Sequence, residues 1–515
     1  MNGAESLIRS LTDGGVEVCF TNPGTSEMHL VAALDRNGEM RSILGLFEGV
    51  VTAAADGYAR MSGKPASTLL HLGPGLANGI ANLHNARRAD VPLINLIGQH
   101  ATYHLRHDTP LTSDIEGLAR TCSSWVRTAC AASELCHDAA DALAAARTAP
   151  GRIATLIVPA DVAWGEGGTT ANPPAFGHPP VPAAEAIERA APMLRSGLRT
   201  ALLLQGAALH GRGLAAAGRI ADQTGAQLLA PYPFARMERG SQAPRVERMA
   251  YILEQAVAQL QEFRQLILVG STVPVAYFAA PGKSCVLPPA GCEIHALAKS
   301  GEDLVAALEA LESALSLKKS LPSKARAVER PPLPGGEISL SAIAAAVAAL
   351  MPENAIVVDE SMTSGRGLMP ATKDGPPHDW LANTGGSIGI ALPLAVGAAV
   401  ACPNRRVLCV SADGSGMYTA QALWTMAREG LNVTTIIYAN RVYGVLKREF
   451  SYLGVGDPGP KARDLFEIGR PDIDWVHLAK SMGVPGARAS SMESFADLLG
   501  RGFQSDGPML IEVRV

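Results

Sequence analysis

The stretch Arg406-Val407-Leu408-Cys409-Val410-Ser411-Ala412-Asp413-Gly414-Ser415, followed by Thr434-Thr435-Ile436-Ile437-Tyr438-Ala439-Asn440-Arg441-Val442-Tyr443-Gly444, decides the reading of this 515-residue chain. Each run is short, apolar and β-rich, and each ends in oxygen ligands. In an open parallel sheet, ligands sit outside the carboxyl ends of the strands, so Asp413 and Asn440 meet if their strands are neighbours. Mg²⁺ takes near-octahedral oxygen coordination, commonly a carboxylate or two completed by phosphate and water. Asp413, the Asn440 side-chain oxygen and the Val442 carbonyl would form one face of such a site, with a diphosphate and a water on the other. Gly414 and Ser415, where strand turns into helix, would offer N–H groups and a hydroxyl to phosphate oxygens. Asp-Gly-Ser alone is an ordinary strand-to-helix turn. Its pairing with a second strand-end ligand carries the reading.

Working outward, the same alternation of strands and helices fills the chain. The first block predicts a helix to about Gly14, a strand Val16–Thr21, helices Ser26–Asn37 and Gly49–Met61, and strands Thr68–His71, Val91–Ile97 and Ile153–Val158. The second predicts strands Ala201–Gln205, Gln227–Ala230 and Leu266–Val269, and the third closes on Met509–Val513. The expected fold class is α/β, three doubly wound domains with mainly parallel sheets, at 1–170, 183–325 and 337–515. Pro-rich runs, Asn172 to Pro182 and Ser320 to Gly336, read as linkers. With 47% hydrophobic and 18% charged residues the chain has an ordinary globular composition, and a net charge of −4 without a basic cluster argues against nucleic acid as the main partner. No apolar run reaches membrane-spanning length, and the first residues lack a basic region followed by an apolar core, so a cytoplasmic location is expected. Eight cysteines occur without a CxxC pair. Cys19, Cys285 and Cys409, in or beside strand-like runs, read as buried reduced thiols.

Asp413-Gly414-Ser415 with Asn440-Arg441-Val442-Tyr443-Gly444 resembles the diphosphate motif of thiamine diphosphate enzymes. Ala412 and Ala439 stand where the family has its first Gly and first Asn. Neither is a side-chain metal ligand there, so the resemblance implies a retained Mg²⁺ site, with Tyr443 and Gly444 beside the cofactor. A second segment, Phe47-Glu48-Gly49-Val50-Val51-Thr52-Ala53-Ala54-Ala55-Asp56-Gly57-Tyr58-Ala59-Arg60, resembles the family's Glu-to-Ala-Asp-Gly-Tyr-Ala run. A glutamate opening a helix is by itself a favourable dipole contact. By resemblance, Glu48 hydrogen-bonds N1′ of the cofactor aminopyrimidine and favours the imino tautomer that removes the thiazolium C2 proton. In Thr384-Gly385-Gly386-Ser387-Ile388-Gly389, Ile388 resembles the apolar wedge that bends the cofactor, and Gly386 offers its carbonyl to the amino group. Hydroxyls of Ser361, Thr363 and Ser364 resemble a further phosphate contact. The three blocks match the family order of pyrimidine, middle and diphosphate domains.

Asn22-Pro23-Gly24-Thr25-Ser26-Glu27 resembles the Asn-Pro-Gly-Ser turn of benzoylformate decarboxylase, with Thr25 at the hydroxyl that faces the substrate carboxylate. Ser26 is either a pocket residue or a helix N-cap. His71, followed by Gly73-Pro74-Gly75, matches a decarboxylase histidine that moves protons at the reacting carbon. Gln99, Leu111, Tyr277 and Leu446 complete the expected substrate pocket, Tyr277 in place of a second pocket histidine. His100, His104 and His107 have helix-like metal spacing without Cys or carboxylate partners and are expected at the pocket mouth instead. Gly282-Lys283-Ser284 imitates the end of a phosphate loop but has Tyr277 where the upstream glycine belongs. Pro110-Leu111-Thr112 and Ser271-Thr272-Val273-Pro274-Val275 depart from acetolactate synthase patterns, so FAD is not expected. The resemblance implies a thiamine diphosphate- and Mg²⁺-dependent 2-oxoacid decarboxylase or carboligase, working through a C2 ylide and an enamine. The alternatives are an acetolactate synthase-like carboligase and a non-catalytic cofactor-binding subunit. It also implies a homodimer or homotetramer with sites at the subunit interface.

Overall fold

A computed structural model describes residues 1–171, 177–317 and 326–515, so parts of both expected linkers, 172–176 and 318–325, lie outside the described residues. Three sheets organise the chain, in the order expected. The first is wholly parallel and runs Arg41–Leu44, Val18–Asn22, Ala66–Leu70, Leu93–Gln99, Ile153–Pro159, Trp125–Thr128 across its width. Its central strands are buried at every residue, which is why they read as continuous apolar runs rather than as alternating ones. The second sheet runs Glu247–Arg248, Gln227–Ala230, Thr200–Leu204, Gln265–Val269, Glu293–Ala298, again parallel.

The third sheet has seven strands: Gly486–Ala489, Met509–Arg514, Val433–Ala439, Val407–Ala412, Ala355–Glu360, His378–Ala382 and Arg236–Arg239. Its last strand comes from the middle of the chain and pairs antiparallel with His378–Ala382. The 183–325 block therefore lends one strand to its neighbour. Arg236-Met237-Glu238-Arg239 gives no apolar strand signal; only Met237 is buried, while Arg236 pairs with Asp379 (2.7 Å) and Arg239 lies over Trp380 (5.3 Å). Partners that distant in sequence make the strand.

The first and third blocks are joined by two helices. Glu48–Ser62 packs against Ala391–Ala401 so closely that a Cβ on Gly57 would come within 2.1 Å of the Leu394 carbonyl, and one on Gly397 within 1.8 Å of the Ala54 carbonyl. Those pairings make the two helices antiparallel. Beside them, Asp56 and Arg60 form a fully buried ion pair (2.6 Å), and Arg60 also donates to the Ala382 carbonyl (2.7 Å) and Thr384 Oγ1 (3.1 Å). A buried charge pair needs such additional hydrogen bonds to offset its desolvation. All eight cysteines are free. Cys19 and Cys409 are buried, as expected, and burial pushes Cys19 up to about 12, but Cys285 is exposed in a loop outside the second sheet. No helix among the described residues is long and apolar enough to cross a membrane.

Candidate active site

Val407–Ala412 and Val433–Ala439 are adjacent and parallel, with Ala412 opposite Tyr438, so Asp413 and Asn440 emerge side by side. Asp413 is 3% exposed, and its Oδ2 accepts from Arg441 N at 2.7 Å, which ties the two strand ends together. Its Oδ1 accepts from Gly414 N (2.9 Å). No basic side chain pairs with Asp413 among the described residues, and burial raises its pKa. A carboxylate withdrawn from water without a counter-charge is the donor a hard cation requires. Beside it, Asn440 Oδ1 accepts from Val442 N (3.1 Å), and the Val442 carbonyl accepts from Gly444 N (2.8 Å), each oxygen keeping a second lone pair. This donor set fits Mg²⁺ carrying a diphosphate.

The neighbouring strand ends complete the corner. Asn440 Nδ2 donates to Ser364 Oγ (3.3 Å), and Gly444 faces Thr363, where a Cβ would meet Oγ1 at 3.0 Å. Ser361 differs from expectation: it is 2% exposed and its hydroxyl donates to Asp359 Oδ1 (2.5 Å), which leaves Thr363 and Ser364 as the hydroxyls at the mouth. After His378–Ala382, the Gly386–Ile388 loop is held by Asn383, whose Oδ1 accepts from Gly386 N (2.8 Å). Glu360 accepts from Gly389 N (3.1 Å) and Ala391 N (3.2 Å), and burial raises its pKa to about 7. Gly386 has φ of +81° and abuts the Tyr277 hydroxyl, which would lie 1.9 Å from a Cβ there. Ser415 is buried, and Leu446 and Tyr277 are 48% and 40% exposed at this mouth.

A second corner forms at the first sheet. Glu48 opens its helix, is 7% exposed, and accepts from Asn78 Nδ2 through Oε2 (3.0 Å). A Cβ on Gly75 would stand 3.3 Å from Glu48 Oε1 and 3.4 Å from His71 Cβ, so Glu48 and His71 converge on one glycine. His71 Nδ1 lies 2.7 Å from Glu27 Oε2, which also accepts from Gly24 N (2.8 Å). With Glu27 ionised, Nδ1 donates to that oxygen and Nε2 is left for other work. Thr25 is exposed beside them. Ser26 lies inside the short Thr25–Glu27 turn and caps nothing; the helix behind it, Met28–Arg36, has no side-chain cap. Gln99 is buried at the end of its strand, and Leu111 is 38% exposed in the following loop.

Glu27 is the residue that the sequence did not single out. It is fully buried, its Oε1 has no hydrogen-bond partner among the described residues, and burial raises its pKa against the pull of His71. A Cβ on Gly98 would sit 1.7 Å from that oxygen. Its signal was present in Asn22–Glu27, as a carboxylate three residues beyond a Gly. The rings of His100, His104 and His107 pack at a tilt (5.7 and 5.5 Å between neighbouring rings), and among the described residues no group of three or more His, Cys, Asp or Glu could hold a metal. The positive charge of a nearby His71 contributes to holding His100 below its ordinary pKa, after burial and His104, which places the three at this corner's rim. Lys283 of Gly282-Lys283-Ser284 pairs with Glu254 (3.2 Å) in an exposed loop.

Residues 1–118 match the thiamine pyrophosphate enzyme N-terminal TPP binding domain, and residues 367–513 match the C-terminal TPP binding domain. A Mycobacterium tuberculosis protein named "Putative acetolactate synthase large subunit IlvX" is 51% identical over 520 residues, spanning 100% of this chain and 99% of that one. The chain belongs to the thiamine pyrophosphate enzyme family. Benzoylformate decarboxylase of Pseudomonas aeruginosa is 29% identical over 532 residues, covering 97% of this chain and 96% of its own. The fold is shared with a thiamine diphosphate-dependent 4-hydroxybenzoylformate decarboxylase of Rhodococcus jostii RHA1 (TM-score 0.86, 23% identity, 100% of this chain and 99% of that one).

For a member of that family, the two corners are far apart within one chain. Asn85, at the far end of the Leu72–Arg88 helix from His71, donates to the Ser387 carbonyl (2.8 Å). Arg60, at the far end of its helix from Glu48, reaches Ala382 and Thr384. At a rise of about 1.5 Å per residue, roughly 18 Å separates Glu48 from Arg60 and roughly 21 Å separates His71 from Asn85. The Gly386–Ile388 loop thus lies a helix length from Glu48 and His71.

Proposed function

We propose that this chain is a thiamine diphosphate- and Mg²⁺-dependent 2-oxoacid decarboxylase or carboligase of the benzoylformate decarboxylase type, with each site shared by two copies in a homodimer or homotetramer. The observation that carries the reaction class is the convergence of Glu48 and His71 on Gly75, with Gly24 of the Gly24-Thr25 turn against the His71 ring. Bound thiamine diphosphate supplies a nucleophilic carbon and a sink for the electrons released with CO₂. Glu48, anchored through Oε2 by Asn78, keeps Oε1 to share a proton with the aminopyrimidine. His71, oriented through Nδ1 by Glu27, presents Nε2 to move a proton at the substrate oxygen or the reacting carbon. Thr25 offers its hydroxyl to the substrate carboxylate. Leu111 and Leu446 give the pocket an apolar wall. Asp413, Asn440 and the Val442 carbonyl would hold Mg²⁺, with Gly414, Ser415, Thr363, Tyr443 and Gly444 around the diphosphate and Gly386 and Ile388 around the pyrimidine. The helix-length gap between the corners supports a site closed by a second copy.

Calorimetric titration of metal-stripped protein with thiamine diphosphate, with and without Mg²⁺, tests the cofactor, and CO₂ release from pyruvate and benzoylformate tests the reaction. Mg²⁺-dependent binding with CO₂ release is expected; absence of binding sinks the reading. The name of the 51% identical relative favours a second reading, an acetolactate synthase-like carboligase. Acetolactate as the main product from pyruvate would decide for it.

A further inference from the structure

Between the second and third sheets lies a cationic and aromatic cluster that the proposed chemistry does not use. Tyr277, whose hydroxyl abuts Gly386, packs on Tyr251 (5.3 Å) and edge-on to Tyr232 (6.3 Å). Arg448 lies over the Tyr251 ring (5.2 Å) and Arg248 over the Tyr232 ring (5.3 Å). Arg366, from the segment after the Ala355–Glu360 strand, stands close enough to Arg448 that, after burial, the neighbouring charge depresses its pKa. Guanidiniums gathered this way repel one another, and carboxylates ordinarily neutralise them. Here only Arg448 has such a partner. Arg366, which is exposed, has no hydrogen bond or ion pair among the described residues. Arg448 spends Nη2 on Glu449 (2.6 Å), but its Nη1 is buried without a hydrogen-bond partner among the described residues. The other nearby carboxylate, Asp359, accepts from the Ser361 amide and hydroxyl through Oδ1 and makes no ion pair with Arg366 or Arg448 among the described residues. A buried guanidinium N–H without an acceptor costs free energy that only an anion or water recovers.

The position says which anion. Arg448 is on the Gly444–Tyr452 helix, the helix that carries Leu446 and begins at Gly444 against Thr363, while Tyr277 touches the Gly386 loop. The cluster therefore borders the mouth where a substrate enters, beyond the diphosphate corner. We propose that Arg366 and Arg448, backed by Arg248 and the three tyrosines, receive a second acidic group of the substrate, so that the chain acts on dianionic 2-oxoacids carrying a distal carboxylate, sulfonate or phosphonate. This rests on the 2-oxoacid reading above and narrows it. Planar guanidiniums stacked on aromatic rings give a fixed, bidentate receptor for such a group.

The test compares wild type with Arg366→Gln and Arg448→Gln. CO₂ release is measured from 2-oxoglutarate, 3-sulfopyruvate and phosphonopyruvate against pyruvate and benzoylformate, and thiamine diphosphate binding is titrated in parallel. Wild type is expected to prefer a dianion at least about tenfold in kcat/KM. Each variant is expected to lose about ten- to a hundredfold on that dianion, chiefly through KM, with turnover of monoanions and cofactor affinity unchanged. A wild-type preference for monoanions overturns the proposal, as does an equal loss on both substrate classes. Weakened thiamine diphosphate binding in the variants also overturns it, since the guanidiniums would then serve the cofactor. If no 2-oxoacid releases CO₂, the decarboxylase reading fails separately. Calorimetric binding of the same dianions to cofactor-loaded protein then decides: tighter binding than of pyruvate, lost in the variants, upholds the cluster, and no such difference overturns it.

Discussion

At the scale of single residues, the candidate site depends on carboxylates placed in different environments. Glu48 is held by one neutral amide at a helix start, whereas Glu27 is fully buried under Gly98 and leans on His71. In the proposed reaction the first would share a proton and the second would orient an imidazole. Glu48→Gln keeps the shape and the Asn78 contact but removes the ionisable oxygen. CO₂ release is expected to fall by about a hundredfold or more, with Mg²⁺-dependent cofactor binding retained by calorimetry. Unchanged turnover would remove Glu48 from the chemistry. Glu48 was legible in the sequence because a long motif surrounds it. Glu27 was not, since a carboxylate next to a helix start is commonplace and only the fold shows that this one is buried. The choice among Ser361, Thr363 and Ser364 was open in the sequence for a related reason: hydroxyls at a strand end look alike until one of them is seen bound to Asp359.

Elements place these residues, and their strain collects at the site. Leu72, Met362 and Arg441 adopt positive φ (52°, 51° and 57°), each directly after a residue singled out from the sequence, His71, Ser361 and Asn440. Non-glycine residues hold that conformation only where surrounding contacts impose it. Glu360 ties the Ala355–Glu360 strand to the Gly389–Ala391 turn, and its pKa is raised from 4.5 to about 7 by burial. A folded-state pKa above the unfolded one contributes stability that is complete below the unfolded value and is lost as pH rises through the folded value. Cofactor-free protein should therefore lose Tm between about pH 5 and about pH 8, by a term of order a few kcal/mol. Glu360→Gln, neutral throughout, should flatten that decline; a parallel decline in the variant would assign it elsewhere. The helix pair Glu48–Ser62 and Ala391–Ala401 has a sharper requirement. Gly57→Ala sets a methyl against the Leu394 carbonyl and should cost about 1–3 kcal/mol, read as a lower Tm in calorimetry. An unchanged Tm would mean the helices separate freely.

At the scale of the whole molecule, one chain holds its two candidate corners a helix length apart. The helices that begin at Glu48 and His71 end against Ala382, Thr384 and Ser387, so a single copy directs its acid–base corner away from its own Gly386–Ile388 loop. If a second copy completes the site, two inactive variants can rescue each other. Glu48→Gln and Asp413→Asn chains, each inactive alone, should regain activity when co-folded. Random pairing makes half the dimers mixed, each with one wild-type site of its two, so about a quarter of the sites recover. Mixed dimers that stay inactive would place both corners of a site in one chain. Complementation also separates a catalytic chain from a cofactor-binding subunit without turnover, which would show no recovery.

The sequence by itself determined what depends on local chemistry and continuous burial. Its three α/β blocks, the parallel strands and the paired ends at Asp413 and Asn440 were all legible, because strands buried on both faces appear as apolar runs and strand-end ligands follow them directly. The tertiary structure alone decided what depends on residues distant in the chain. It brought Arg236–Arg239 into a sheet more than a hundred residues away, buried Glu27 behind His71, left Arg366 and the Arg448 Nη1 without acceptors among the described residues and set the two corners a helix length apart. None of these has a local pattern, because burial, a missing partner and a distance are each properties of the folded neighbourhood rather than of the residue.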